Sequence, residues 1–203
     1  VAVLGWMAGR RSLRPEETEA PLSPDVMRLA LDVEDTDKAV DVLVRMAKLD
    51  DRSVETQLAL GNLFRNRGEI DRALKIHQAL VQRADLPPLP RNQANLELAR
   101  DYLRAGMFDR AEALYNSLIE QGMFLEHVLP DLVSIYEQTR DWQKAITTAK
   151  RWQGVCGQPK HTQMAQYACE LAEITNREGR HQEAEQYLQE ALGYDEHCVR
   201  ASL

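Results

Sequence analysis

The stretch Leu60–Ala73, LGNLFRNRGEIDRA, decides the fold of this 203-residue chain. It sets Gly61, Phe64, Gly68 and Ala73 at successive offsets of three, four and five residues, the spacing of a helix–turn–helix unit that recurs about every 34 residues. Each position has a packing reason. Gly61 lets one helix lie close to its neighbour, and Phe64 fills the space between the two helices of a pair. Gly68 ends the first helix, because a residue without Cβ accepts the left-handed conformation of a C-terminal cap. Ala73 is the small residue where the two helices cross most closely.

The same register runs outward in both directions. The small residue of the second helix recurs as Ala39, Ala73, Ala111, Ala145 and Ala184, at intervals of 34, 38, 34 and 39 residues. The two long intervals carry insertions of four and five residues near Leu86–Pro90 and Gly154–Lys160. Both are turn-forming stretches, and loops between repeats tolerate insertion. The large residue before the first turn is Phe64, Tyr102 and Tyr136 in the middle units, with Ala30 and Thr175 at the ends. The turn residue is Gly68, Gly106 and Gly179, replaced by Glu34 in the first unit and Arg140 in the fourth. Helix pairs are expected over 25–31 with 36–48, 54–66 with 70–83, 91–104 with 108–121, 125–138 with 142–152, and 161–177 with 181–192. The units run 25–51, 54–87, 92–125, 126–159 and 165–198, and His197–Leu203 reads as the start of a sixth. The first unit fits worst, as terminal repeats do. The expected fold is all-α: a tetratricopeptide-repeat solenoid of five helix pairs over 25–203, preceded by the end of a transmembrane helix. A solenoid stopping at Leu203 exposes an apolar face, so the native protein is expected to continue.

Residues 1–9, VAVLGWMAG, are apolar and give way abruptly to Arg10-Arg11. Nine residues do not span a bilayer, which takes about 20. The stretch reads as the C-terminal end of a membrane anchor, with Trp6 at the interface and Arg10, Arg11 and Arg14 marking the cytoplasmic flank. A frayed apolar tail is the plainer alternative. A signal peptide carries its positive charges before the apolar run, not after it. Residues 15–24, PEETEAPLSP, hold three prolines and three glutamates and read as a linker.

The net charge of −7 conceals an asymmetry. Residues 1–14 hold three arginines and no acid, which leaves 22 basic against 32 acidic residues in the rest. An acidic body argues against nucleic acid, whose binders present a basic face. Cys156, Cys169 and Cys198 form no CxxC pair, so neither a disulfide framework nor a structural zinc site is expected. An odd number of thiols fits a reducing compartment. The five histidines form no HExxH, and no GxSxG, P-loop or GxGxxG occurs. His77 takes the second-helix position held by Tyr115 and Leu188 in other units, which suits a packed core histidine. The chain is expected not to be an enzyme.

What such a solenoid offers is a concave surface lined by the first helix of each pair. Counting inward positions yields Leu58, Asn62, Arg65 and Asn66 in the second unit and Glu97, Arg100 and Arg104 in the third. Asp131, Ser134 and Glu137 follow in the fourth, then Glu170, Glu173 and Arg177 in the fifth. A groove with arginines at one end and acids at the other suits an extended or helical peptide of matching charge. A merely solvated face is the competing reading. Some chaperone-binding repeats grip a terminal carboxylate with Lys and Asn four residues apart; here Leu58 and Asn62 hold that spacing, and the lysine is missing.

GWMAGRRS at 5–12, LGNLFRNRGEIDRALKIHQ at 60–78, RDYLRAGMFDRAEALYNSL at 100–118 and YEQTRDWQKAI at 136–146 together resemble the lipopolysaccharide assembly protein B family of Gram-negative bacteria. The resemblance implies a single-pass inner-membrane adaptor with its repeats on the cytoplasmic side. In that family the protein works with a membrane-bound ATP-dependent zinc protease and other lipopolysaccharide assembly factors. It promotes degradation of the deacetylase that commits carbon to lipid A. The family also implies a C-terminal rubredoxin-like metal site, which is not expected within these 203 residues, so no cofactor is assigned. A homodimer is compatible with this reading. Two alternatives stay open: an interaction scaffold for another envelope or cytoplasmic complex, and a regulatory repeat region joined to a catalytic domain.

Overall fold

A computed structural model describes residues 44–45 and 53–202. The anchor, the linker and nearly all of the first helix pair, with Ala30, Glu34 and Ala39, lie outside the described residues. Among the described residues the structure is entirely helical. Its elements are α1 Val54–Asn66, α2 Ile70–Gln82, α3 Pro88–Arg104, α4 Phe108–Glu120, α5 Leu125–Thr139, α6 Trp142–Cys156, α7 His161–Arg177, α8 His181–Tyr194 and the short α9 Val199–Ser202. Each helix packs on the next in sequence, and α1 on α3, α3 on α5 and α7 on α9. That is the contact pattern of a solenoid.

The turns show why the repeat spacing works. At Gly68, Gly106, Arg140 and Gly179 the backbone is left-handed, with φ of 79°, 72°, 58° and 79°. The next N–H bonds back to the carbonyl five residues earlier: Glu69 to Phe64, Met107 to Tyr102, Asp141 to Tyr136 and Arg180 to Thr175, each at 2.9 Å. The residue expected to fill the helix pair is therefore also the acceptor that closes the C-terminal cap. Ala73, Ala111 and Ala145 are fully buried, and Ala184 nearly so. Gly61 has an equally direct reason. A Cβ there would lie 2.3 Å from Nε2 of His77, inside van der Waals contact.

A further repeated contact joins the two helices of a unit. The residue before the crossing alanine is a cation over the first-helix aromatic ring: Arg72 on Phe64 at 3.8 Å, Arg110 on Tyr102 at 5.6 Å and Lys144 on Tyr136 at 5.2 Å. Such contacts contribute about 0.5–1 kcal/mol at exposed sites. In the fifth unit the aromatic is Thr175 and the cation is Glu183, so both partners change together.

Two helices depart from the expected bounds by more than two residues. α3 begins at Pro88, three residues early, because proline fits the first helical turn, where its missing N–H has no intrahelical role. α6 runs on to Cys156, absorbing Gly154, and stops at Gly157 with φ of 67°. Part of each insertion is thus extra helix rather than loop. Among the described residues no helix is long and apolar enough to cross a membrane.

Candidate interaction surface

The first helices α1, α3, α5 and α7 place most of the expected groove residues on one face, where they bond chiefly to one another. Arg65 of α1 donates to Asn62 Oδ1 at 2.7 Å, Glu97 Oε2 at 2.5 Å, the Glu97 carbonyl at 3.1 Å and Asp101 Oδ1 at 2.9 Å. Glu97 then accepts from Arg100 at 2.9 Å, and Arg100 reaches Asp131 of α5 at 3.3 Å. The Tyr115 hydroxyl donates to Asp131 at 3.0 Å. Burial and the adjacent Asp131 charge push the Tyr115 phenol well above its ordinary value. The result is a polar ladder across three units in which two arginines are held by three carboxylates.

Beneath the ladder Asp101 and His77 are both fully buried. His77 Nδ1 donates to Asp101 Oδ2 at 2.6 Å, and Nε2 lies 3.4 Å from the Leu58 carbonyl oxygen. Asp101 thus has one oxygen on Arg65 and the other on His77, so its charge is paired despite complete burial. His77 is the packed core residue its position suggests. Asp101 escapes sequence reasoning, since its partners stand 24 and 36 residues away and only the stacking of units joins them.

The acidic end is also partly neutralised. Arg200 of α9 pairs with Glu170 at 2.7 Å and with Glu173, and Arg177 pairs with Glu173 at 3.0 Å. Arg200 holds the Glu173 carboxyl below the usual carboxylate range. Ser134 accepts from Gln138 at 3.2 Å. Leu58 is half-buried, while Asn66 and Arg104 are exposed. The structure therefore joins Asn62, Arg65, Glu97, Arg100 and Asp131 in one network and Glu170, Glu173 and Arg177 in another. Arg200, the hinge of the second, was not among the residues expected from sequence, because inward positions were counted only in the second to fifth units.

Between α5, α6, α7 and α9 the face opens into a cavity of about 500 Å³. Trp142 and Tyr167 stack along it, ring centroids 5.8 Å apart. Glu137 accepts from the Tyr167 hydroxyl. Burial, and then this carboxylate, push the Tyr167 phenol well up. The Trp142 indole N–H is buried and lacks a hydrogen-bond partner among the described residues. Nearby, the thiols of Cys169 and Cys198 touch at 3.8 Å. Among the described residues no three His, Cys, Asp or Glu side chains are placed to hold a metal ion.

Comparison with known proteins agrees with the repeat assignment. Residues 96–157 match the tetratricopeptide repeat family. Lipopolysaccharide assembly protein B of Escherichia coli K12 is 39% identical over 180 residues, covering 84% of this chain and 45% of that protein. Its namesake in Haemophilus influenzae is 37% identical over 214 residues, covering all of this chain and 54% of the relative. The chain spans about half the length of the curated relatives it matches. The family resemblance read from the four stretches is borne out. Among solved structures, MamA AMB-1 superposes with a TM-score of 0.57 at 20% identity, covering 86% of this chain and 90% of MamA. YrrB, a tetratricopeptide protein with an unusual peptide-binding site, superposes at 0.56 with 10% identity, covering 86% of each chain. These two likenesses show the fold alone.

Proposed function

We propose that this homologue of lipopolysaccharide assembly protein B is the repeat region of a non-catalytic, membrane-anchored adaptor that restrains lipopolysaccharide synthesis. In this reading the solenoid brings the lipid A-committing deacetylase to a membrane-bound ATP-dependent protease for degradation. The observation that carries it is 37–39% identity to those relatives over most of the chain. The continuous helical face supports it, since its residues bond to one another as a stable surface rather than converging as catalytic groups. Anchoring would act by proximity: a short tether holds two partners at an effective concentration of about millimolar.

Deleting residues 1–14 tests the proximity step. The adaptor reading expects that the truncated protein fails to sustain normal deacetylase turnover in cells. Normal turnover without the anchor would overturn that step and favour a repeat scaffold acting in another complex.

A further inference from the structure

We propose that the cavity between α5, α6, α7 and α9 is a pocket for the arginine side chain of an extended partner peptide. The inference rests on reading this face as a protein-interaction surface and names what one part of it takes.

The walls define the ligand. Trp142 and Tyr167 are stacked with 19° between their planes and present an aromatic side to the cavity. Glu137, Glu170 and Asp195 supply three carboxylates around it. Only Glu170 of these has a strong cation, Arg200, which is already shared with Glu173. Glu137 is held by the neutral Tyr167 hydroxyl, and Asp195 by the Thr162 hydroxyl at 3.4 Å and the His197 backbone N–H at 3.0 Å. These bonds orient both carboxylates and leave their charge uncompensated. Farther along the face Arg65 and Arg100 are already held by Glu97, Asp101 and Asp131, so neither arginine is available to neutralise the carboxylates at the cavity. A planar cation that stacks on aromatic rings and forks two carboxylates is the complement, and guanidinium has that shape. A lysine ammonium makes point contacts but does not stack in the same way.

The test uses the whole 203-residue chain, ¹⁵N-labelled, titrated with acetyl-Ala-Ala-Arg-Ala-Ala-amide. The same peptide with citrulline, a neutral isostere of arginine, is titrated in parallel. Saturable amide shifts are expected at residues 137–142, 166–170 and 195–200. The citrulline peptide is expected to bind at least about tenfold more weakly, as loss of stacked-cation and charge-assisted contacts implies. Glu137→Gln with Asp195→Asn is expected to weaken the arginine peptide by a similar factor, with helicity preserved. Glu126→Gln, on the exposed side of α5, serves as the control and is expected to bind like the parent. No shift at those amides, equal binding of citrulline and arginine, or undiminished binding by the double variant would each overturn the pocket. Neither the protease nor the deacetylase takes part, so failure here bears on the pocket and not on the adaptor reading.

Discussion

At the scale of single residues, the most consequential side chain is Asp101, a buried carboxylate shared by Arg65 and His77. Removing one member of a buried ionic cluster leaves its partners without compensation and costs about 3–5 kcal/mol. Asp101→Ala is expected to lose that much in urea-unfolding experiments while Asn66→Ala, on an exposed position, changes little. Gly61 and His77 were legible as a close approach and a packed residue because both lie within one unit's pattern. Asp101 was not, since helical periodicity cannot say which unit's carboxylate will meet which unit's arginine. Cys169 yields a second prediction. Burial, and then contact with the Cys198 thiol, push its pKa from 9.0 up to about 11. The neutral thiol is favoured by folding, so its contribution to stability is complete below pH 9 and fades as pH rises through about 11. Alkylation with iodoacetamide at pH 8, mapped by mass spectrometry, is expected to label Cys156 and Cys198 well before Cys169.

At the scale of elements, the repeat is defined as much by its turns as by its helices. Arg140 stands where three other units have glycine, with φ of 58°. Left-handed backbone costs a non-glycine residue about 1–2 kcal/mol, partly offset by glycine's greater freedom in the unfolded chain. Arg140→Gly is therefore expected to stabilise the protein by about 0.5–1 kcal/mol. Gly106→Ala, where a Cβ meets nothing within 4 Å, should cost about the same through backbone strain alone. Opposite signs of comparable size in chemical denaturation support this account of the caps; two losses would contradict it. Helix positions were readable from sequence because each cap, crossing alanine and aromatic recurs at fixed offsets. The start of α3 at Pro88 and the end of α6 at Cys156 were less so, because prolines and Gly154 resemble loop markers until the helix around them is seen.

At the scale of the whole molecule, the fold was legible and the surface only partly so. Sequence placed the groove residues on the first helices, yet gave no sign that Arg65 and Arg100 are held by Glu97, Asp101 and Asp131. Those arginines serve the joint between units, and reversing them would disturb the solenoid rather than probe an interface. Arg104, exposed at the end of α3, is the better groove probe. The acidic aromatic cavity was invisible from sequence because α9 and α5, which share it, are separated by three intervening helices. The most direct test of the adaptor reading is a crosslinked pull-down from membranes with the full-length protein. The account predicts that the ATP-dependent protease and the lipid A-pathway deacetylase are recovered together. Recovery of neither would contradict it.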